Sequence, residues 1–224
     1  SGISVFDGTE FKNVSVHSKL TSSSTISLFR DSKNRMWLSM ASGGLSYIQN
    51  GNITNVTEKT KLSKSTVFHL SEDQNGTLWG GYSGGIVKID NDDFTAYDLT
   101  GIFPRTNIFH AWNDNKGSLW LTSNSGVYQI DIKYFKNKKL PEKLSYQSYL
   151  KTDGLPENNV TALSHAYLSS NEFWIPFNGG VAIIESDNNG YNPYLPEVFI
   201  QKVEINGKTV VNYPTATVKE KVFG

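Results

Sequence analysis

The chain has 224 residues, 38% of them hydrophobic and 19% charged, and its 21 basic side chains balance its 21 acidic ones. That content suits a globular core and excludes disorder, and zero net charge leaves no electrostatic footprint for nucleic acid or an anionic membrane surface. Without cysteine there is no disulfide scaffold, thiolate zinc site or cysteine nucleophile.

Taken in chain order, Gly2 to Gly8 followed by Glu10-Phe11 predicts a pair of strands, the second half of a unit whose first half lies upstream. Ser1-Gly2-Ile3-Ser4 has neither the basic start nor the apolar stretch of a secretory signal. No apolar run approaches the roughly 20 residues that a membrane-spanning helix needs.

A repeat then begins, framed by Trp37, Trp79, Trp120 and Trp174 at spacings of 42, 41 and 54 residues. The first three tryptophans each follow an aspartate by six residues: Asp31, Asp73 and Asp114. Ahead of the aspartates, Ile26 and Leu28, Phe68 and Leu70, and Phe109 and Ala111 alternate with the period of a strand. Turn residues separate aspartate from tryptophan: Ser32-Lys33-Asn34, Gln74-Asn75-Gly76 and Asn115-Lys116-Gly117. After the tryptophan comes a glycine turn at Gly43-Gly44, Gly84-Gly85, Ser125-Gly126 or Gly179-Gly180, then an apolar third strand. A fourth, weaker strand is readable in Phe94-Thr95-Ala96-Tyr97.

Four short strands per unit of about 40 residues are the signature of a β-propeller blade, whose small sheet must stack on its neighbours to bury both faces. The fold class is therefore all-β: four-stranded antiparallel blades over residues 1–190, with a half-blade at 1–16 and four repeats, expected to form an incomplete propeller. The extra length before Trp174 predicts an insertion over 133–143, a solvated lysine-rich loop containing Lys136, Lys138 and Lys139. Beyond Ile184 a linker containing Asn188, Gly190 and Pro193 leads to an alternating strand over 198–205. Asn206-Gly207 then predicts a hairpin into Thr209-Val210-Val211. Residues 191–224 read as a linker and the first strands of a β-sandwich domain.

The unit Asp-(five residues)-Trp-(four or five)-Gly-Gly-apolar resembles the two-component regulator propeller repeat. So does the connector from Tyr149 to Val160, containing Asp153-Gly154-Leu155-Pro156. The run Gly179-Gly180-Val181-Ala182-Ile183-Ile184, then Asn192-Pro193 and Leu195-Pro196-Glu197-Val198, is similar to the passage from such propellers into an Ig-like Y-Y-Y domain. The resemblance implies an extracytoplasmic, periplasmic sensor region of a bacterial inner-membrane regulator with a kinase or cyclase output domain. It implies an oligosaccharide or other small-molecule signal, a homodimeric parent protein, and membrane attachment only through a helix outside this chain. The family usually carries about seven blades per propeller, against four tryptophan frames here.

Residue by residue, the tryptophans read as packing between blades, and the aspartates as acceptors for backbone N–H groups in their turns. His69 and His110 share one repeat position, with His165 near it; the plainer reading is pairing with strand neighbours, the alternative a metal site. No catalytic group, metal ligand or cofactor is assigned. The loops between strands two and three, with the crossovers between blades, form one face of a propeller, where binding groups are commonly held. The candidates there are Tyr82, Arg105, Asn107, Asn124, Asn158 and Phe177, among flanking residues such as Met40, Ser83 and Asn178. An aromatic ring beside amide and guanidinium donors suits a sugar. A propeller enzyme of lyase or dehydrogenase type and a protein-interaction scaffold are the alternatives.

Overall fold

Each aspartate–tryptophan unit folds as a short antiparallel meander. The computed structural model describes residues 3–14, 24–60, 62–103, 106–162, 167–168, 172–185, 202–206 and 208–212. β1 (Ile3–Phe6) pairs with β2 (Phe11–Val14). β3 (Thr25–Arg30), β4 (Met36–Met40), β5 (Leu45–Gln49) and β6 (Asn52–Asn55) form the first four-stranded sheet, followed by a single helical turn, α1 (Thr57–Thr60). The second sheet contains β7 (Val67–Glu72), β8 (Leu78–Tyr82), β9 (Gly85–Asp90) and β10 (Asp93–Asp98). The third contains β11 (Ile108–Asn113), β12 (Ser118–Ser123), β13 (Gly126–Asp131) and β14 (Tyr146–Tyr149). In the last, β15 (Tyr167–Leu168), β16 (Glu172–Phe177) and β17 (Gly180–Glu185) pair in order. The architecture is that of β-propeller blades, as the repeat predicts.

The aspartates do more than close their turns. Oδ1 of Asp73 accepts the N–H groups of Asn75 (2.9 Å) and Thr77 (3.0 Å), while Oδ2 accepts the indole N–H of Trp79 (3.1 Å). Asp114 repeats the arrangement with Lys116, Ser118 and Trp120. Asp31 repeats it with Arg35 and Trp37, and adds the Arg35 guanidinium. Each carboxylate thus fixes both the turn and the ring that the next sheet packs on.

Trp37, Trp79 and Trp120 are 0, 2 and 3% exposed. Trp37 clusters with Val67, Leu70 and Leu78 of the following sheet. Trp79 clusters with Ile108, Ala111 and Leu121, and Trp120 with Phe173 and Ile175. Polar bolts recur between sheets about 40 residues apart: Ser32 donates to Glu72 through both its N–H and its hydroxyl, Ser71 to the Ala111 carbonyl (2.7 Å), and Asn113 to Asp73 (3.0 Å).

Three expectations need correction. Trp174 is 42% exposed, because its outer face meets no further sheet among the described residues, and its N–H bonds Glu172 in place of a turn aspartate. The lysine-rich insertion is not simply solvated. It opens with a 3₁₀ turn over Ile132–Phe135 that buries Phe135 against Trp79 and Tyr97 of the preceding sheet. The Tyr97 hydroxyl donates to the Phe135 and Asn137 carbonyls, and Lys138 pairs with Asp93 at 2.7 Å, so the insertion straps two blades together. The stretch read as a connector from Tyr149 in fact begins as the last residue of β14, and only then turns through Lys151–Asp153.

The chain divides into two compact units, residues 1–187 and 188–224. In the second, β18 (Lys202–Ile205) pairs antiparallel with β19 (Lys208–Asn212) around Asn206, whose φ of 52° is the left-handed conformation that asparagine tolerates in hairpin turns. The part of the predicted strand over 198–201 lies outside the described residues.

Candidate functional site

The loop face is built by backbone crossing from one sheet to the next. Gly84, at φ 93°, turns β8 into β9 and donates its N–H to the Thr106 carbonyl at 3.0 Å. Beside it Ser83 bridges Asn107 in antiparallel fashion, and its hydroxyl donates to the Asn107 side-chain oxygen. Asn107 in turn donates its backbone N–H to Oδ1 of Asn124 at 2.8 Å, and the Asn124 N–H returns to the Asn107 carbonyl. The Thr106 and Ser125 hydroxyls sit 3.2 Å apart alongside. One step further round, the Val160 N–H reaches the Ser123 carbonyl, and Val160 bridges Phe177.

This geometry leaves a specific chemistry. Oδ1 of both Asn107 and Asn124 is occupied, and among the described residues their NH2 groups have no partner, which leaves them as donors. Asn124 is exposed and Asn107 half-buried. Two fixed amide donors flanked by hydroxyls can bind hydroxyl or carbonyl oxygens of a ligand. Asn158 is exposed, its Oδ1 capping the Lys151 N–H at 2.6 Å. Glu157 lies beside Gly179, and the Thr161 hydroxyl reaches Asn178.

Two of the expected aromatic platforms are not on the surface. Tyr82 is 8% exposed and donates its hydroxyl to the Tyr97 carbonyl (3.1 Å); burial, then the nearby Asp98 carboxylate, pushes its pKa up to about 12. Phe177 is 6% exposed and packs with Phe109, Trp120 and Phe173. Met40, named with the flanking residues, is fully buried. Neither ring offers a face to a sugar: β8 is buried along its whole length, and Phe177 lies on the face of β16 that packs on the third sheet. Arg105 lies outside the described residues. The sequence places Thr106 on this face, in the run 104–107, without singling it out, and reads Ser125 only as part of its glycine turn; the structure brings the two hydroxyls together.

The histidines form a row near the inner strands. His69 and His110 have ring centroids 4.9 Å apart, and His110 Nδ1 lies 3.1 Å from the Thr122 hydroxyl. His165 is outside the described residues. Among the described residues, no group of three or more His, Asp or Glu side chains is arranged to hold a metal ion.

No family model matches the sequence, and none of the curated proteins is similar to it. Solved structures share the fold. The chain superposes on the extracellular domain of a hybrid two-component system from B. thetaiotaomicron with a TM-score of 0.71 at 20% identity, over 99% of this chain and 29% of that one. A second such domain from the same organism gives 0.57 at 19% identity, over 89% and 25% of the two chains. PorZ, a surface component of the type-IX secretion system of Porphyromonas gingivalis, gives 0.54 at 13% identity, over 73% and 26%. The chain therefore spans about a quarter of the length of these structures, and what it shares with them is the propeller fold.

Proposed function

We propose that this chain is part of the ligand-sensing propeller region of a bacterial transmembrane signalling regulator, lying outside the cytoplasm. Its signal is an oligosaccharide read at the loop face. The observation that carries the reading is the Asn107–Asn124 pair, two amides whose acceptor atoms are tied to the scaffold and whose donors, among the described residues, are not. The likeness to extracellular domains of two hybrid two-component systems supports the sensor role, as do the motifs similar to the two-component regulator propeller repeat. On the same reading, the hairpin of β18 and β19 begins a Y-Y-Y domain that passes the signal toward the membrane, and the working protein is a homodimer. A ligand shifts such a regulator only by binding one arrangement better than another.

Asn107→Asp and Asn124→Asp keep each bonded oxygen and remove the NH2 donors. Titration of the purified chain with a broad oligosaccharide panel is expected to find a binder. Each substitution is expected to weaken that binder about tenfold, equivalent to about 1.4 kcal/mol, with an unchanged melting temperature. Silence across the panel, or binding that ignores both substitutions, removes the sugar-sensing assignment from this face.

A further inference from the structure

Away from the loop face, the third sheet carries an open groove of about 530 Å³. Its walls are the turn at Lys116 and Gly117, Ser118 of β12, Gln129 and Asp131 of β13, and residues 145–147 leading into β14. That volume falls within the range of small-molecule sites. No described residue of the fourth sheet lines it.

The groove floor lies at a register position where each sheet carries a different residue. The residue paired directly across from the frame tryptophan is Tyr47 in the first sheet, Lys88 in the second and Ile183 in the fourth, but Gln129 in the third. On its other side Gln129 pairs with Gln147, where the first two sheets have Thr54 and Thr95. Two amides therefore stand side by side on adjacent strands.

The first is locked. Its nitrogen donates to the Ser118 hydroxyl at 2.9 Å, and its oxygen accepts from the Tyr149 hydroxyl at 3.0 Å, with the Tyr149 ring stacked on Trp120 at 5.5 Å. The second amide, Gln147, and the Ser145 hydroxyl are exposed and make no hydrogen bond among the described residues. Asp131 is held by Lys133 through a backbone N–H and an ion pair, and its pKa is lowered mainly by that side-chain contact. Lys116 also lines the groove, which therefore carries both signs of charge.

We propose that this groove is a second binding site, specific for a short neutral saccharide. Ser118, Gln129 and Gln147 stand on three neighbouring strands. Strands are spaced about 4.8 Å apart, close to the length of one pyranose unit, so polar groups recur about once per sugar unit across the groove. Amides supply donor and acceptor together, as a hydroxyl requires. A neutral ligand leaves the Asp131–Lys133 ion pair undisturbed, whereas an anionic one competes with Asp131 for Lys133. The site shares no residue with the loop face and does not depend on the sensing role.

The test is an NMR titration of the labelled chain with maltotriose, xylotriose and mannotriose, and with trigalacturonate as the anionic comparison. At least one neutral trisaccharide is expected to shift the side-chain NH2 signals of Gln129 and Gln147 with a Kd near or below about 1 mM. Gln147→Ala, at an exposed position, is expected to weaken it about tenfold with an unchanged melting temperature, while Asn107→Asp leaves it intact. Shifts confined to Asn107 and Asn124 overturn the groove while supporting the loop face. No shift with any neutral probe, or tighter binding of trigalacturonate, overturns the proposal.

Discussion

Asp31→Ala is expected to cost about 3–5 kcal/mol of folding stability, the largest loss from any single polar side chain in the first sheet. The carboxylate is fully buried and receives three donors: the Arg35 N–H at 2.8 Å, the Arg35 guanidinium at 2.5 Å and the Trp37 indole at 2.8 Å. Arg35 itself is buried, its guanidinium lying over the Trp37 ring at 4.9 Å and the Tyr47 ring at 5.3 Å. Removing the carboxylate strands a buried cation and an indole N–H together, and an uncompensated buried charge costs far more than an exposed pair returns. The same change at Asp114 is milder, since that residue is only half-buried where Asp31 is buried. Urea unfolding of the two alanine variants, followed by tryptophan fluorescence, measures the difference. Equal losses at the two sites contradict the argument.

The pH dependence follows from the same contacts. Burial alone raises the Asp31 pKa, but the hydrogen bonds from Trp37 and Arg35 outweigh it, and the net shift is downward. A carboxylate with a depressed folded-state pKa contributes its full stability above the unfolded value of about 3.9 and loses it as the pH falls through the folded one. The stability gap between wild type and Asp31→Asn is therefore flat from about pH 5 to 8 and narrows below about pH 4. Asp98 and Asp131, also held low, keep the variant acid-sensitive, so the informative quantity is the gap and not either curve alone.

Much of this was legible in the residues because the repeat is a physical constraint. A sheet of four short strands cannot bury both faces alone, so Trp37, Trp79 and Trp120 had to recur at the blade spacing. The turn aspartates were readable as backbone acceptors. Their bonds to the indoles were not, since the six-residue spacing becomes a contact only once the hairpin register is known. Tyr82 and Phe177 were placed at the right end of their strands and on the wrong side of the surface. β8 is buried along its whole length, and a strand covered on both faces has no alternation to show which residues point outward. The strap escaped notice for a related reason: Phe135 is one apolar residue among lysines, and only the approach of Trp79 and Tyr97 gives it a core to enter. The glutamine pair was invisible because Gln129 and Gln147 lie on either side of the insertion, where the repeat loses its period.

Gly81→Ala, a single added methyl, is expected to cost about 3 kcal/mol, at the upper end of what overpacking usually does. Gly81 sits in β8 against the first residue of β11, and a Cβ there would stand 2.7 Å from the Ile108 carbonyl carbon and closer still to its oxygen. The obstacle is backbone, which no rotamer change relieves. At the equivalent point of the first interface Ser39 donates its hydroxyl to the Val67 carbonyl, so the first and second sheets are separated by a side chain where the second and third meet directly. That approach sets the His69 and His110 rings 4.9 Å apart. It also brings Asn107, the residue before Ile108, to its bridge with Ser83. The added methyl must push β11 away from β8, and Asn107 moves with it. Binding at the loop face is thus expected to weaken along with the stability. Gly101→Ala, with no described atom within 4 Å of its Cβ position, is the control and is expected to change stability by no more than about 0.5 kcal/mol. If the two variants unfold at the same urea concentration, the sheets have room that this close packing denies, and the loop face is not held in place by the contact at Gly81.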